Sequence, residues 1–298
     1  MIVRDKPGLW ELLFALRGSV LPHIAATILS FTIFSAALVG LDKAGLLPLG
    51  HLDTTPFTVF GIALSLFLGF RNAAAYDRWW EARRLWGGLV ADLRSLGREC
   101  EVCSTAPDRR QRILRLALGF VHLHRINLRC IPQDAAAAQW GTAAFANAPH
   151  PPCAPLDQIA AEIAAGLVAG DIDGFGARTL TTRLGSIALQ QAGCERIAAT
   201  PLPFVYSLLI FRTCYLYCLL LPLALIASAG WMAPVFTAIV AYVFFGLAEV
   251  TEEMSHPFGA TINGLPLDAL CRIVEISLAP RLGEPAPAPL QPVDFYLS

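Results

Sequence analysis

Cys100-Glu-Val-Cys103, with His122 and His124 downstream, has the spacing of a zinc or redox site. On a helix, however, two positions two residues apart point about 200° from each other, so the histidines cannot share one metal. Cysteines at i and i+3 on an amphipathic helix read as packing residues, and no metal or cofactor is expected. The chain has no Walker loop, no Gly-x-Ser-x-Gly elbow and no His-Glu-x-x-His helix, so it is not expected to be an enzyme. Arg212 interrupts an apolar run, where a charge is costly and draws a functional hypothesis by default. A structural ion pair with a carboxylate at the end of the run is preferred there over pore lining. Glu249, Glu252 and Glu253 read as a solvated acidic helix end rather than a cation site. The stronger pattern lies earlier. Gly61, Ser65 and Gly69 recur every four residues, a small-residue row that lets helix backbones approach closely. Ile62, Leu66 and Phe70 form a bulky row about 100° round from it, and periodicity alone leaves lipid contact and pore lining open.

The elements that carry these residues follow from composition. Of 298 residues, 55% are hydrophobic and 15% charged, with a mean hydropathy of +0.56. A soluble domain carries about 25% charged residues to wet its surface. This chain lacks that polar cover, and a bilayer is the natural solvent for the surplus. With 22 Lys and Arg against 23 Asp and Glu, it lacks the basic excess of a nucleic-acid binder, and no nucleic-acid partner is expected. Its eight cysteines have no regular spacing, which suits a reducing compartment.

Four spans are expected, near 18–41, 56–70, 201–227 and 231–248, all in helices with no convincing strand pattern. The first is too long for a signal-peptide core and is read as a mature membrane helix. Thr55-Pro56 suggests a cap and first turn for the second. Pro222 interrupts the third, and a short turn around Ser228–Gly230 makes the third and fourth a hairpin. Between Arg71 and Arg129 there are twelve arginines against six acids, whereas the loop after the first span holds one basic residue, Lys43. By the positive-inside rule both termini are expected in the cytoplasm. The resulting division is an N-terminal segment 1–17, spans 18–70, a helical cytoplasmic domain 71–200, spans 201–248, a helical segment 249–278 and a Pro-rich tail 279–298. Within the cytoplasmic part, one helix continues from the second span to Ala106-Pro107. A second, capped by Asp108, carries the stripe Ile113, Leu114, Ala117, Phe120, Val121 and His124. A loop is expected over 133–155, then helices over 156–168, 177–199 and 266–278.

The run Gly69 to Gly87, GFRNAAAYDRWWEARRLWG, resembles the bestrophin family of ion channels, in particular its bacterial branch. Arg71, Asn72, Tyr76, Arg78, Glu81, Arg83 and Trp86 fall in register with that family's motif. Two further blocks, GCERIAATPLPFVY from Gly193 and HPFGATINGLPL from His256, are similar to the family's segments before the third span and after the fourth. The resemblance implies a homopentamer in the plasma (inner) membrane, with the bilayer and permeating monovalent ions as its other partners. It places Ile62, Leu66 and Phe70 on the hydrophobic neck of a central pore, ringed by helices packed through Gly61, Ser65 and Gly69. A second, cytoplasmic constriction falls at Phe175. By family the ion is chloride or another anion, although bacterial members can favour monovalent cations. One departure stands out: animal members follow Pro-Phe-Gly with an acidic run that binds calcium, whereas here Gly259 is followed by Ala260, Thr261, Ile262, Asn263 and Gly264. Calcium activation is therefore not expected. The alternatives are a membrane-anchored signalling or scaffold protein, whose helical domain binds a partner, and a secondary transporter. The absence of inverted-repeat symmetry weighs against the transporter.

Overall fold

The computed structural model describes residues 1–3, 8, 10, 15, 18–46 and 53–298. Expectations for most of the N-terminal segment 1–17 lie outside the described residues. Among those described the chain is helical, with isolated β-bridges and no strand. It forms two compact units. One comprises residues 5–79 and 201–256; the other comprises 1–4, 80–200 and 257–298.

The first unit holds α1 (Leu21–Lys43), the leading part of α2 (Thr55–Cys103), α7 (Phe204–Ala229) and α8 (Ala233–Ser255). Helix α1, helix α2 and the stretch Phe204–Ser255 are each long and apolar enough to cross a membrane. A 3-10 turn, Gly230–Met232, joins α7 to α8, at the small-residue turn expected from the sequence. Phe31, Leu64, Leu68, Cys214, Tyr217, Leu221 and Phe245 meet in the shared core. Phe31 stacks on Phe245 at 5.8 Å between ring centres, and Tyr215 meets Phe245 edge-on at 4.8 Å. In lipid the hydrophobic effect does not draw helices together, so this close packing supplies the cohesion. Thr237 is buried beside Ser35: its hydroxyl lies 2.8 Å from Ala233 O of its own helix and 3.4 Å from Ser35 Oγ of α1, so it is satisfied within the unit.

The second unit is built from the rest of α2, α3 (Pro107–Arg129), the short α4 (Ala135–Ala138), α5 (Cys153–Ala169), α6 (Gly174–Ala199) and α9 (Leu267–Leu278). Trp86, Leu89, Leu93, Leu96 and Cys100 make the buried face of α2, and the expected stripe of α3 is buried throughout. Cys100 is a packing residue as anticipated; burial pushes its thiol up to about 12, and no cysteine is in a disulfide. Asp108 lies in the first turn of α3 and is not its cap: Pro107 opens the helix, where its missing N–H costs nothing. The expected loop over 133–155 contains α4, capped by Asp134, and a 3-10 turn at Thr142–Phe145. Helix α6 begins at Gly174, earlier than expected, because Asp173 accepts from Gly176 N at 2.6 Å and caps it. The Pro-rich tail opens with a 3-10 turn, Ala279–Leu282, and its end is pinned: Val3 N donates to Phe295 O, and Ala269 N to Ser298 O.

The same unit carries the buried histidines. His122 Nε2 lies 2.7 Å from Glu275 Oε1, which also accepts from Trp140 Nε1. His124 is wholly buried and stacks on Trp86 and Phe120, and neither ring nitrogen has a hydrogen-bond partner among the described residues. Burial, reinforced by His150, pulls its pKa down from 6.5 to about 3. A folded-state pKa below the unfolded one favours the neutral ring, so this contribution is complete above pH 6.5 and is lost as pH falls toward 3. The arginine-paired carboxylates Asp134 and Asp268 are also held below their usual range, but they act only in stronger acid. Acidification from about pH 7 to about pH 5 is therefore expected to cost about 2 kcal/mol through His124. His124→Phe keeps the stack and removes the charge, and should abolish that loss in thermal melts. An unchanged slope in the variant would show that another group titrates in this window.

Candidate functional site

The leading part of α2 presents two faces. Leu64 and Leu68 are 3% and 1% exposed, packed against α7 and α8. Ile62, Leu66 and Phe70 lie about 200° from them, and are 67%, 57% and 64% exposed. Within this chain the bulky stripe is thus the uncovered face. The small-residue row is divided. Gly61 lies against Tyr217, whose hydroxyl would be 2.6 Å from a Cβ at position 61. Its smallness therefore serves packing inside the chain. Ser65, which donates to Gly61 O, and Gly69, where an added Cβ would meet nothing within 4 Å, face outward.

Directly after Phe70, Arg71 turns inward. Its Nη2 donates to Ser207 Oγ at 2.8 Å and to Glu252 Oε2 at 2.6 Å, joining α2 to α7 and α8. The Arg71 side chain is 4% exposed and Glu252 42%. Asn72 Oδ1 accepts a long contact from Thr251 Oγ1, and Arg78 Nε donates to Ser255 O. These bonds explain why α8 runs past Glu249 to Ser255. They also correct two expectations. Glu252 is a counter-ion rather than a solvated helix end. The buried, paired arginine is Arg71, while Arg212 is exposed and makes no hydrogen bond or ion pair among the described residues. The missed signal was the 4/3/4 spacing of Leu64, Leu68, Arg71 and Ala75, which places Arg71 on the buried face.

The remaining motif residues serve different ends. Tyr76 is exposed; Glu81 pairs with Arg196 at 2.5 Å; the Arg83 guanidinium lies against Gly87; and Trp86 is the buried platform under His124. Phe175 projects from the first turn of α6 into an open cavity of about 560 Å³ shared with Arg178, Thr182 and Ser186. There Arg183 is clamped by Asp92 and Glu99, each at 2.7 Å. Among the described residues no cluster of His, Cys, Asp or Glu has metal-site geometry. The segment after Gly259 closes on its own backbone, with Leu265 N donating to Pro257 O and no space for a side chain at Gly264.

The sequence profile of the bacterial and fungal bestrophin proteins matches residues 1–280. The chain belongs to the bestrophin family. It is 47% identical to a voltage-dependent anion channel-forming protein of Mesorhizobium japonicum, over all of this chain and 97% of that one. It is 37% identical to the voltage-dependent anion channel-forming protein YneE of Escherichia coli K12, over 93% of each chain. The crystal structure of a bacterial bestrophin homologue from Klebsiella pneumoniae superposes with a TM-score of 0.80 at 30% identity, covering 89% of this chain and 99% of that one.

In this bestrophin the arginine clasp has an asymmetric cost. Glu252→Leu leaves Arg71 buried without its counter-ion, a loss of about 3 kcal/mol or more. Arg71→Met leaves a half-exposed carboxylate that water can hydrate, and is expected to cost less. Melting temperatures in detergent should therefore fall further for Glu252→Leu than for Arg71→Met, and the reverse order would mean that Glu252 is dispensable to the packing.

Proposed function

We propose that this bestrophin is an ion channel of the bacterial inner membrane, a homopentamer with four spans per chain and both termini in the cytoplasm. Five α2 helices would ring one pore, with Ile62, Leu66 and Phe70 as its neck and Phe175 as a second, cytoplasmic constriction. The observation that carries this reading is the outward stripe on α2, an apolar face that its own chain leaves bare while Leu64, Leu68 and Arg71 bury the opposite one. Ser65 and Gly69 beside the stripe offer small surfaces for neighbouring copies. The names of the relatives support conduction of anions, and a reversal potential under a salt gradient tests that sign.

The stripe repeats at i, i+4 and i+8, so it stacks three apolar rings about 6 Å apart. An ion entering them loses water that no lining dipole replaces, which makes the neck a barrier and a gate. Replacing all three residues with Ala should widen and wet it, raising single-channel current severalfold in planar bilayers. Leu68→Ala should lower stability instead, because that side chain lies in the core. Unchanged current in the triple variant, with the oligomer intact, would remove the stripe from the pore. Native mass measurement is expected to give five copies of the 32.1 kDa chain, and a monomer or dimer would end the pore reading.

A further inference from the structure

An apolar neck holds ions back by dehydration and cannot tell their sign, so the sign falls to charges at its mouths. The bare face of α2 carries one. Successive helical residues turn by about 100°, which puts Val59, Ile62, Leu66, Phe70, Ala73 and Asp77 within an arc of about 80°. All six are exposed. The buried line Leu64, Leu68, Arg71 and Ala75 runs along the opposite side of the helix. Between Thr55 and Trp79, Asp77 is the charged residue on the exposed arc. It follows Phe70 by seven residues, about 10 Å further along the axis. Its side chain makes no hydrogen bond or ion pair among the described residues. The arginines on either side are engaged elsewhere: Arg71 is held by Ser207 and Glu252, and Arg78 donates to Ser255 O. A carboxylate that neither packs nor pairs within its own chain is left to act through its field.

We propose that Asp77 sets the sign preference of the pore: five copies ring the cytoplasmic mouth of the neck, draw monovalent cations to it and repel anions. The proposal rests on the channel reading. It needs no coordination of the ion, because the potential of such a ring reaches about a Debye length, roughly 8 Å in physiological salt. It pulls against the anion preference read from the relatives' names, so Asp77 moves the selectivity of this chain toward cations. A potential of about one kT at the mouth shifts the cation-to-anion ratio about sevenfold, because it acts on the two ions in opposite senses.

The full chain, reconstituted in planar bilayers, is tested by reversal potentials under a potassium chloride gradient. Asp77→Asn is expected to lower the potassium-to-chloride permeability ratio about sevenfold, and Asp77→Lys to lower it further. Asp157→Asn removes the same charge from an exposed position on α5 and should leave the ratio unchanged. The effect at Asp77 should shrink as salt rises from about 0.1 M to about 1 M, where the Debye length falls from about 10 Å to about 3 Å. An unmoved ratio in both Asp77 variants, with current and oligomer intact, would overturn the proposal and leave the channel reading standing. A lower melting temperature or a lost oligomer in Asp77→Asn would also overturn it, since the carboxylate would then serve packing between copies. No current from the unsubstituted chain would instead remove the channel reading, and this proposal with it.

Discussion

The rotation of α2 about its axis is decided at Arg71. A guanidinium at the end of an apolar helix must find acceptors, and Ser207 and Glu252 supply them from α7 and α8. Once Arg71 is held there, Leu64 and Leu68, on the same face, are drawn into the core with Tyr217 and Leu221. Ile62, Leu66 and Phe70 are then turned outward, because helix geometry leaves them nowhere else to point. A single polar contact thereby separates the face that builds the chain from the face available for function.

The same demand for polar satisfaction runs through the second unit. Arg183 is clamped by Asp92 and Glu99, while Arg125 and Arg129 converge on Asp268. Arg109 is held by Glu162 and Asp171. Partly buried arginines need such partners, and the paired carboxylates answer with lowered pKa values, as at Glu162 beside Arg112 and Arg109. The arginine excess over 71–129 that reads from sequence as a topology signal is thus also part of this unit's internal bonding.

His124 is the exception. It fills an aromatic slot between Trp86 and Phe120 with both nitrogens unbonded among the described residues, so its neutral ring acts as a flat apolar body. The chain tolerates this because imidazole loses its charge readily near neutral pH, at a cost that appears only in acid.

Helical character, the long apolar stretches and the family were legible in the sequence, because composition and periodicity are properties of the chain itself. The stripe Ile62, Leu66 and Phe70 was visible as a spacing, and the motif from Gly69 to Gly87 as a pattern of residue types. Periodicity could not say which side of α2 was bare, since both sides are apolar. That choice depended on Ser207 and Glu252, more than a hundred residues away, meeting Arg71 in space. For the same reason Arg212 drew attention that belonged to Arg71: in sequence each is an arginine beside an apolar run, and only the tertiary structure gives one of them its partners. The caps at Asp134 and Asp173 and the division of the small-residue row by Tyr217 were likewise settled by local backbone geometry and by packing, which residue type alone leaves open.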